Sequence, residues 1–223
     1  MRLPGSIEER LEKLVKADRW RLLRETDVAG LEDDAVRVDC ALAGATSCIQ
    51  LSLRPQDVQF LQKDVCADFA LLLARGDDVF EAHIVELKRS VKERNWAHIQ
   101  EQLEWAAVRL VAVAGVLDIR LHGVVAYTAF CNDKLAREGS TNPAAMKIPL
   151  GPSDPGASEA SAHRWADARR SWERDHIRMA TFDRDVEHRR IRADESGRAT
   201  VLCRTRSSPG ESDTRWRFEP VAR

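Results

Sequence analysis

Three observations predict an α/β fold. The run VCADFALLL at 65–73 is apolar enough to be a strand covered on both faces, an amphipathic helix spans 95–117, and an apolar strand, 121–128, follows that helix directly. A helix between two strands is the pattern of a crossover, so the strands on either side of it are expected to be parallel neighbours. A chain of 223 residues is long enough for one main domain with an appendage, and needs no disulfide or structural metal to bury its core.

The elements follow in order. Ser6 and Glu9 have the spacing of a capping box, and Ile7, Leu11, Leu14 and Val15 recur at helical spacing, which predicts a first helix over 7–24. Val36, Val38, Cys40 and Leu42 alternate, Gly44 supplies a turn, and Ile49, Leu51 and Leu53 alternate again, which predicts a hairpin closed by Pro55. Strand 65–73 ends at a Gly76-Asp77-Asp78 turn. Strand 83–88 (HIVELK) follows, and its apolar start and charged end have it leave the core at Glu86 to Lys88. On helix 95–117 the stripe is Trp96, Ile99, Leu103, Ala106, Leu110 and Val113.

Beyond the core, 138–162 is rich in Gly, Ser, Pro and Ala and is expected to be a loop or linker. Helical character with many arginines is expected from 163 to about 192, followed by strand-like pieces around Val201 and Trp216. Trp165, Arg169, Trp172, His176 and Met179 would share one helix face there, able to stack on nucleic acid or to pack on the domain, and packing is the commoner fate of such a face. The expected division is a core over 1–135, a linker over 136–162, and a helical, basic appendage over 163–223 that packs on or extends the core.

Composition narrows the function classes. Net charge is −1 and arginine outnumbers lysine, so attraction to nucleic acid would come from a local patch rather than a global field. The five cysteines have no CxxC spacing and are expected to be reduced core residues. No stretch approaches the ~18 apolar residues of a membrane span, and the N-terminus has no apolar signal region, which makes cytoplasmic the expected location, with no membrane partner.

The chemistry is expected around Asp68. A carboxylate inside VCADFALLL is costly to bury without a cation. Glu86 and Lys88, two apart on a strand, point to one face, and a hairpin across Gly76-Asp77-Asp78 would set Asp68 beside Glu86. Two carboxylates in one place repel unless a cation lies between them, and oxygen donors suit Mg2+ or Mn2+. A metal there would polarise a phosphoryl oxygen while the Lys88 ammonium orients water and stabilises developing charge, which points to phosphodiester hydrolysis.

Asp68, then Glu86-Leu87-Lys88, then a helix carrying Gln102-Leu103, resembles the PD-(D/E)xK nuclease superfamily over residues 64–128, with Ala67 in place of the leading Pro. The resemblance implies a restriction-endonuclease-like core, a mixed central sheet flanked by helices. It also implies a Mg2+- or Mn2+-dependent nuclease acting on DNA, with RNA second, of a kind found in restriction, repair or defence against mobile DNA. It assigns Asp68, Glu86, Lys88 and Gln102 to catalysis, and Asp68, Glu86 and the Leu87 carbonyl to the metal. Members often add a glutamate from the first helix. The candidates are Glu8, Glu9 and Glu12: Glu9 is occupied by the capping box, and Glu8 lies by angle closest to the apolar stripe, so Glu8 is the choice here.

On the long helix His98, Gln102, Trp105 and Arg109 form a flank from which His98 or Arg109 would reach phosphate, with Gln100 as the competitor of Gln102. Arg169, Arg170 and Arg174 would track a nucleic-acid backbone, although neighbouring acids also allow ion pairs. One such centre cuts one strand, so a homodimer or a partner protein is expected, and specificity would come from a partner or from DNA structure. The alternatives are a non-catalytic nucleic-acid- or protein-binding module of the same fold, an enzyme acting on another phosphate ester, and a purely structural Asp68–Lys88 ion pair.

Overall fold

The computed structural model describes residues 6–54, 65–76, 78–137 and 166–205. The capping box forms: Ser6 Oγ accepts the Glu9 N–H at 3.2 Å and Glu9 Oε2 accepts the Ser6 N–H at 2.8 Å. It starts a helix, α1 (Ile7–Leu14), that is shorter than expected. Val15 is already extended, 17–19 make a 3-10 turn, and the expected helix gives way to strand β1 (Trp20–Arg24), antiparallel to residues 47–51. Pairing with an open sheet edge overrides the weak helical pattern of these five residues.

Strands β2 (Val28–Glu32), β3 (Arg37–Ala43) and β4 (Ser47–Ser52) follow. The expected 36–53 hairpin is corrected, because β3 and β4 lie in different sheets. β3 pairs antiparallel with β2 and parallel with the strand Arg198–Arg204, whereas β4 pairs with β1 and the strand Phe69–Ala74. Gly44, at φ +71°, turns the chain from one sheet to the other, in a conformation that carries little strain only for glycine.

Strands β5 (Phe69–Ala74) and β6 (Val79–Val91) form the expected antiparallel pair, Phe69 opposite Val85. Helix α2 (Glu93–Leu117) then crosses over to β7 (Arg120–Asp133), which runs parallel to β6 as expected. A short helix, α3 (Lys134–Arg137), ends this segment. Most of the expected linker lies outside the described residues, as does Trp216.

The helix expected over 163–192 is corrected too. Only 166–173 are helical (α4), after which β8 (His176–Met179) and β9 (Arg184–Arg192) form a hairpin, and β9 joins the sheet parallel to β7. In β9 the buried positions Val186 and His188 lie two apart, the strand period, which the surrounding arginines hide in the sequence. β10 (Arg198–Arg204) takes the position expected around Val201.

The result is an α/β molecule with a seven-stranded mixed sheet, order β1-β4-β5-β6-β7-β9-β8, and a three-stranded sheet, β10-β3-β2. One face of the large sheet buries Ala82, Ile84 and Ala126 against Ile99, Leu103 and Leu110 of α2. The other buries Leu71, Val85 and Tyr127 with Val38, Cys40 and Cys203 of the small sheet. All five cysteines are free and four are buried. No helix among the described residues is long and apolar enough to cross a membrane.

Candidate metal centre

The end of β5 makes the site. Its ladder stops at the Phe69–Val85 pair, so the next cross-strand pair, Asp68 and Glu86, meets through side chains. Asp68 Oδ2 accepts the Leu87 N–H at 2.9 Å, and Glu86 Oε2 accepts the Asp68 N–H at 3.2 Å. Each carboxylate thus holds the backbone beside the other. Lys88 shares a face of β6 with Glu86, and its Nζ donates to Glu86 Oε1.

Burial grades the group: the Glu86 side chain is 0% exposed, Asp68 20% and Lys88 25%. The centre therefore opens to solvent on the Asp68 and Lys88 side. Burial, reinforced by the Asp68 charge and opposed by Lys88, pushes the Glu86 carboxyl up to about 8. Burial also raises Asp68, against the Leu87 N–H and the charges of Lys88 and Arg54. Two carboxylates that both resist ionisation in one place form an electrostatic environment that a divalent cation relieves.

The donor set fits a hard cation. Leu87 directs its N–H at Asp68, and in extended chain a residue's carbonyl leaves on the same side as its N–H, so the Leu87 carbonyl faces the same edge. Two carboxylates and a carbonyl, with the remaining positions left to water or substrate phosphate, is how Mg2+ is usually bound. A third acidic side chain does not join them: no cluster of three or more His, Cys, Asp or Glu suited to a metal exists among the described residues. Glu8 is exposed on α1, and its neighbour Arg10 donates to the Leu117 carbonyl, at the opposite end of α2 from the strand end that carries Lys88.

Gln102 does reach this region, in a supporting position. Its Nε2 donates to the Cys66 carbonyl at 3.3 Å, and its own carbonyl accepts the Ala67 N–H at 3.0 Å, so it clamps the segment that leads into Asp68. Its Oε1 is buried with no hydrogen-bond partner among the described residues. Gln100 instead donates to Ser171 Oγ on α4.

The expected nucleic-acid contacts disperse. Arg109 is 1% exposed and donates to the Leu53 carbonyl at 2.9 Å, which corrects its assignment to phosphate. His98 is exposed beside Glu101, Arg169 pairs with Glu173, Arg170 pairs with Asp167, and Arg174 is exposed just past α4. Trp172 packs edge-on to Trp96 and Phe130, but the helix face expected to carry it does not form, because His176 and Met179 lie on β8; Trp165 lies outside the described residues.

Two residues near the centre escaped sequence reasoning. Arg54 sets its Nε 3.8 Å from Asp68 Oδ1 and its guanidinium over the Phe69 ring. Asp33, after β2, adds negative charge near Asp68 while its Oδ1 accepts the Ala35 and Val36 N–H groups. Arg54 follows Leu53, whose N–H donates to the Asp68 carbonyl just past the β4–β5 ladder, a placement that only this pairing reveals. Searches against protein-family models, curated proteins and solved structures find no match to this chain.

Proposed function

We propose that the chain is a Mg2+- or Mn2+-dependent phosphodiesterase of restriction-endonuclease-like fold, acting on DNA with RNA second. The observation that carries this reading is the paired acids Asp68 and Glu86, Glu86 accepting the Asp68 N–H and Asp68 accepting the Leu87 N–H, with Lys88 on the buried acid. The order of Asp68, Glu86-Leu87-Lys88 and Gln102 along two hairpin strands and a crossover helix supports it further.

Asp68, Glu86 and the Leu87 carbonyl would hold the cation, which when bound supplies Lewis-acid chemistry, polarising a phosphoryl oxygen and activating water. Glu86, whose carboxyl burial keeps up near 8, would give up its proton on holding the cation. Lys88, partly exposed, presents its ammonium at the mouth of the centre, where it stabilises charge developing on phosphate. Arg54, across Asp68, is a second cation at the mouth. Gln102 acts through the 65–67 segment as a positioning residue.

The test is cleavage of plasmid, single-stranded DNA and RNA in Mg2+ or Mn2+, with an EDTA control. Asp68→Ala and Glu86→Ala should abolish metal-dependent cleavage and Lys88→Ala should slow it by about 100-fold or more. Cleavage that survives these substitutions, or none at all in a folded protein that binds no Mn2+, moves the assignment to a non-catalytic binding module. Nicking without linearisation of plasmid would mean that a lone copy cuts one strand, and that a second copy is needed for both.

A further inference from the structure

Strand β6 does not end at the candidate centre. Past Glu86 and Lys88 it continues through exposed Arg89 to Val91, where the chain turns into α2. At that junction Lys92, Glu93, Arg94 and Lys134 line an open cleft of ≈ 300 Å³. Lys134 arrives from the end of β7, which stays in register with β6 to the last pair, Val91 opposite Asp133. The two central parallel strands therefore deliver their C-terminal ends to one basic cleft.

The charges there are unbalanced. Arg89, Lys92, Arg94 and Lys134 have no acidic partner among the described residues, and Glu93 is the one acid in the lining. Five arginines of the C-terminal region differ: Arg169, Arg170, Arg178, Arg189 and Arg190 each pair with a carboxylate. Cations held together by the fold in excess of acids raise the local concentration of anions. The first turn of α2, a 25-residue helix, opens into the same cleft and adds the positive end of its dipole.

We propose that this cleft binds backbone phosphates of the polynucleotide whose scissile phosphate lies at Asp68, Glu86 and Lys88. The proposal rests on the phosphodiesterase reading of that centre. Lys88 and Lys92 are separated by four residues of extended chain, roughly 13 Å. One phosphate group cannot touch both places, whereas a polynucleotide strand, with one phosphate per nucleotide, places different phosphates at the two. A polynucleotide is thus the occupant that uses centre and cleft together.

The test is anisotropy of a fluorescein-labelled single-stranded oligonucleotide in EDTA, titrated at several salt concentrations. Binding should weaken with salt, and neutralising Lys92, Arg94 and Lys134 to Ala together should lower the slope of log K against log salt by about 2, near 0.7 per lost phosphate contact. Arg120→Ala, whose arginine pairs with Asp78 at the other end of the sheet, should keep the wild-type slope. A triple variant with unchanged slope and affinity overturns the proposal, as does a folded wild type that binds no oligonucleotide. Equal affinity for a mononucleotide and the oligonucleotide also overturns it, since it makes the cleft a single-phosphate site. Cleft-dependent binding without cleavage in any metal would defeat the phosphodiesterase reading alone, and cleavage indifferent to the three cations would defeat the cleft alone.

Discussion

At the scale of single residues, the same chemical group carries opposite meanings in this chain according to burial. Asp68, Glu86 and Lys88 were legible from sequence because an acid inside an apolar strand and an i, i+2 pair on the next strand each have a direct geometric consequence. Arg109 was not, because a flank position on a helical wheel does not tell whether the neighbouring layer closes over it. It does close: the guanidinium reaches across to the Leu53 carbonyl, one residue before Arg54, which faces Asp68. Arg109→Met keeps most of the apolar stem and deletes the donor, leaving the Leu53 carbonyl without it in a buried place. Urea unfolding should show a loss of about 2 kcal/mol or more. A variant within about 0.5 kcal/mol of wild type would put Arg109 at a solvated surface instead. Oligonucleotide affinity of the folded variant should stay at the wild-type value, because the arginine touches backbone and not ligand.

At the scale of elements, what could be read and what could not separate along a physical line. Helix α2 and strands β5 to β7 announced themselves because their periodicity is long and their neighbours are adjacent in sequence. The partners of β3 and β4 are not adjacent: alternation shows that each has a buried face but not which sheet it joins, and Gly44 serves a sheet change as well as a hairpin. Strand β9 was obscured by its arginines, although burial of His188 now explains its fit. The imidazole hydrogen-bonds Thr128 Oγ1 through Nε2 at 3.0 Å and lies against Trp96 and Trp172, which ties β9 to β7, α2 and α4 together. Burial, helped by the Arg190 charge, pulls this histidine from 6.5 down to about 4. Because the folded value is the lower one, the contribution is complete above 6.5 and is lost as pH falls from there toward 4, at most about 3 kcal/mol. Melting temperature should therefore fall across that window in the wild type and fall less in His188→Gln. Parallel curves for the two proteins would mean that the imidazole is protonated in place without cost.

At the scale of the whole molecule, the C-terminal region contributes to both sheets. β8 and β9 extend the seven-stranded sheet beyond β7, and β10 is an outer strand of the small sheet, paired with β3 through seven register positions from Arg198–Arg37 to Arg204–Ala43. Without them β7, with six backbone partners in β9, becomes an open edge of apolar chain: Val125, Ala126, Tyr127, Ala129 and Phe130 are all buried there. β3 would keep only β2, and a two-stranded sheet is marginal by itself. Trp172, 1% exposed, would also be lost from its place on Trp96 and Phe130. A chain ending at residue 137 retains Asp68, Glu86, Lys88, Gln102 and every element that positions them, so a core independent of its C-terminal region would still melt cooperatively and bind Mn2+. The pairing argues otherwise: circular dichroism should show a broad, non-cooperative thermal transition, with exposed apolar surface that binds a hydrophobic dye. Adding residues 166–205 as a separate peptide should restore cooperativity if the strands dock without covalent connection. A sharp transition in the shortened chain alone would show that the strands after α4 decorate a core complete without them.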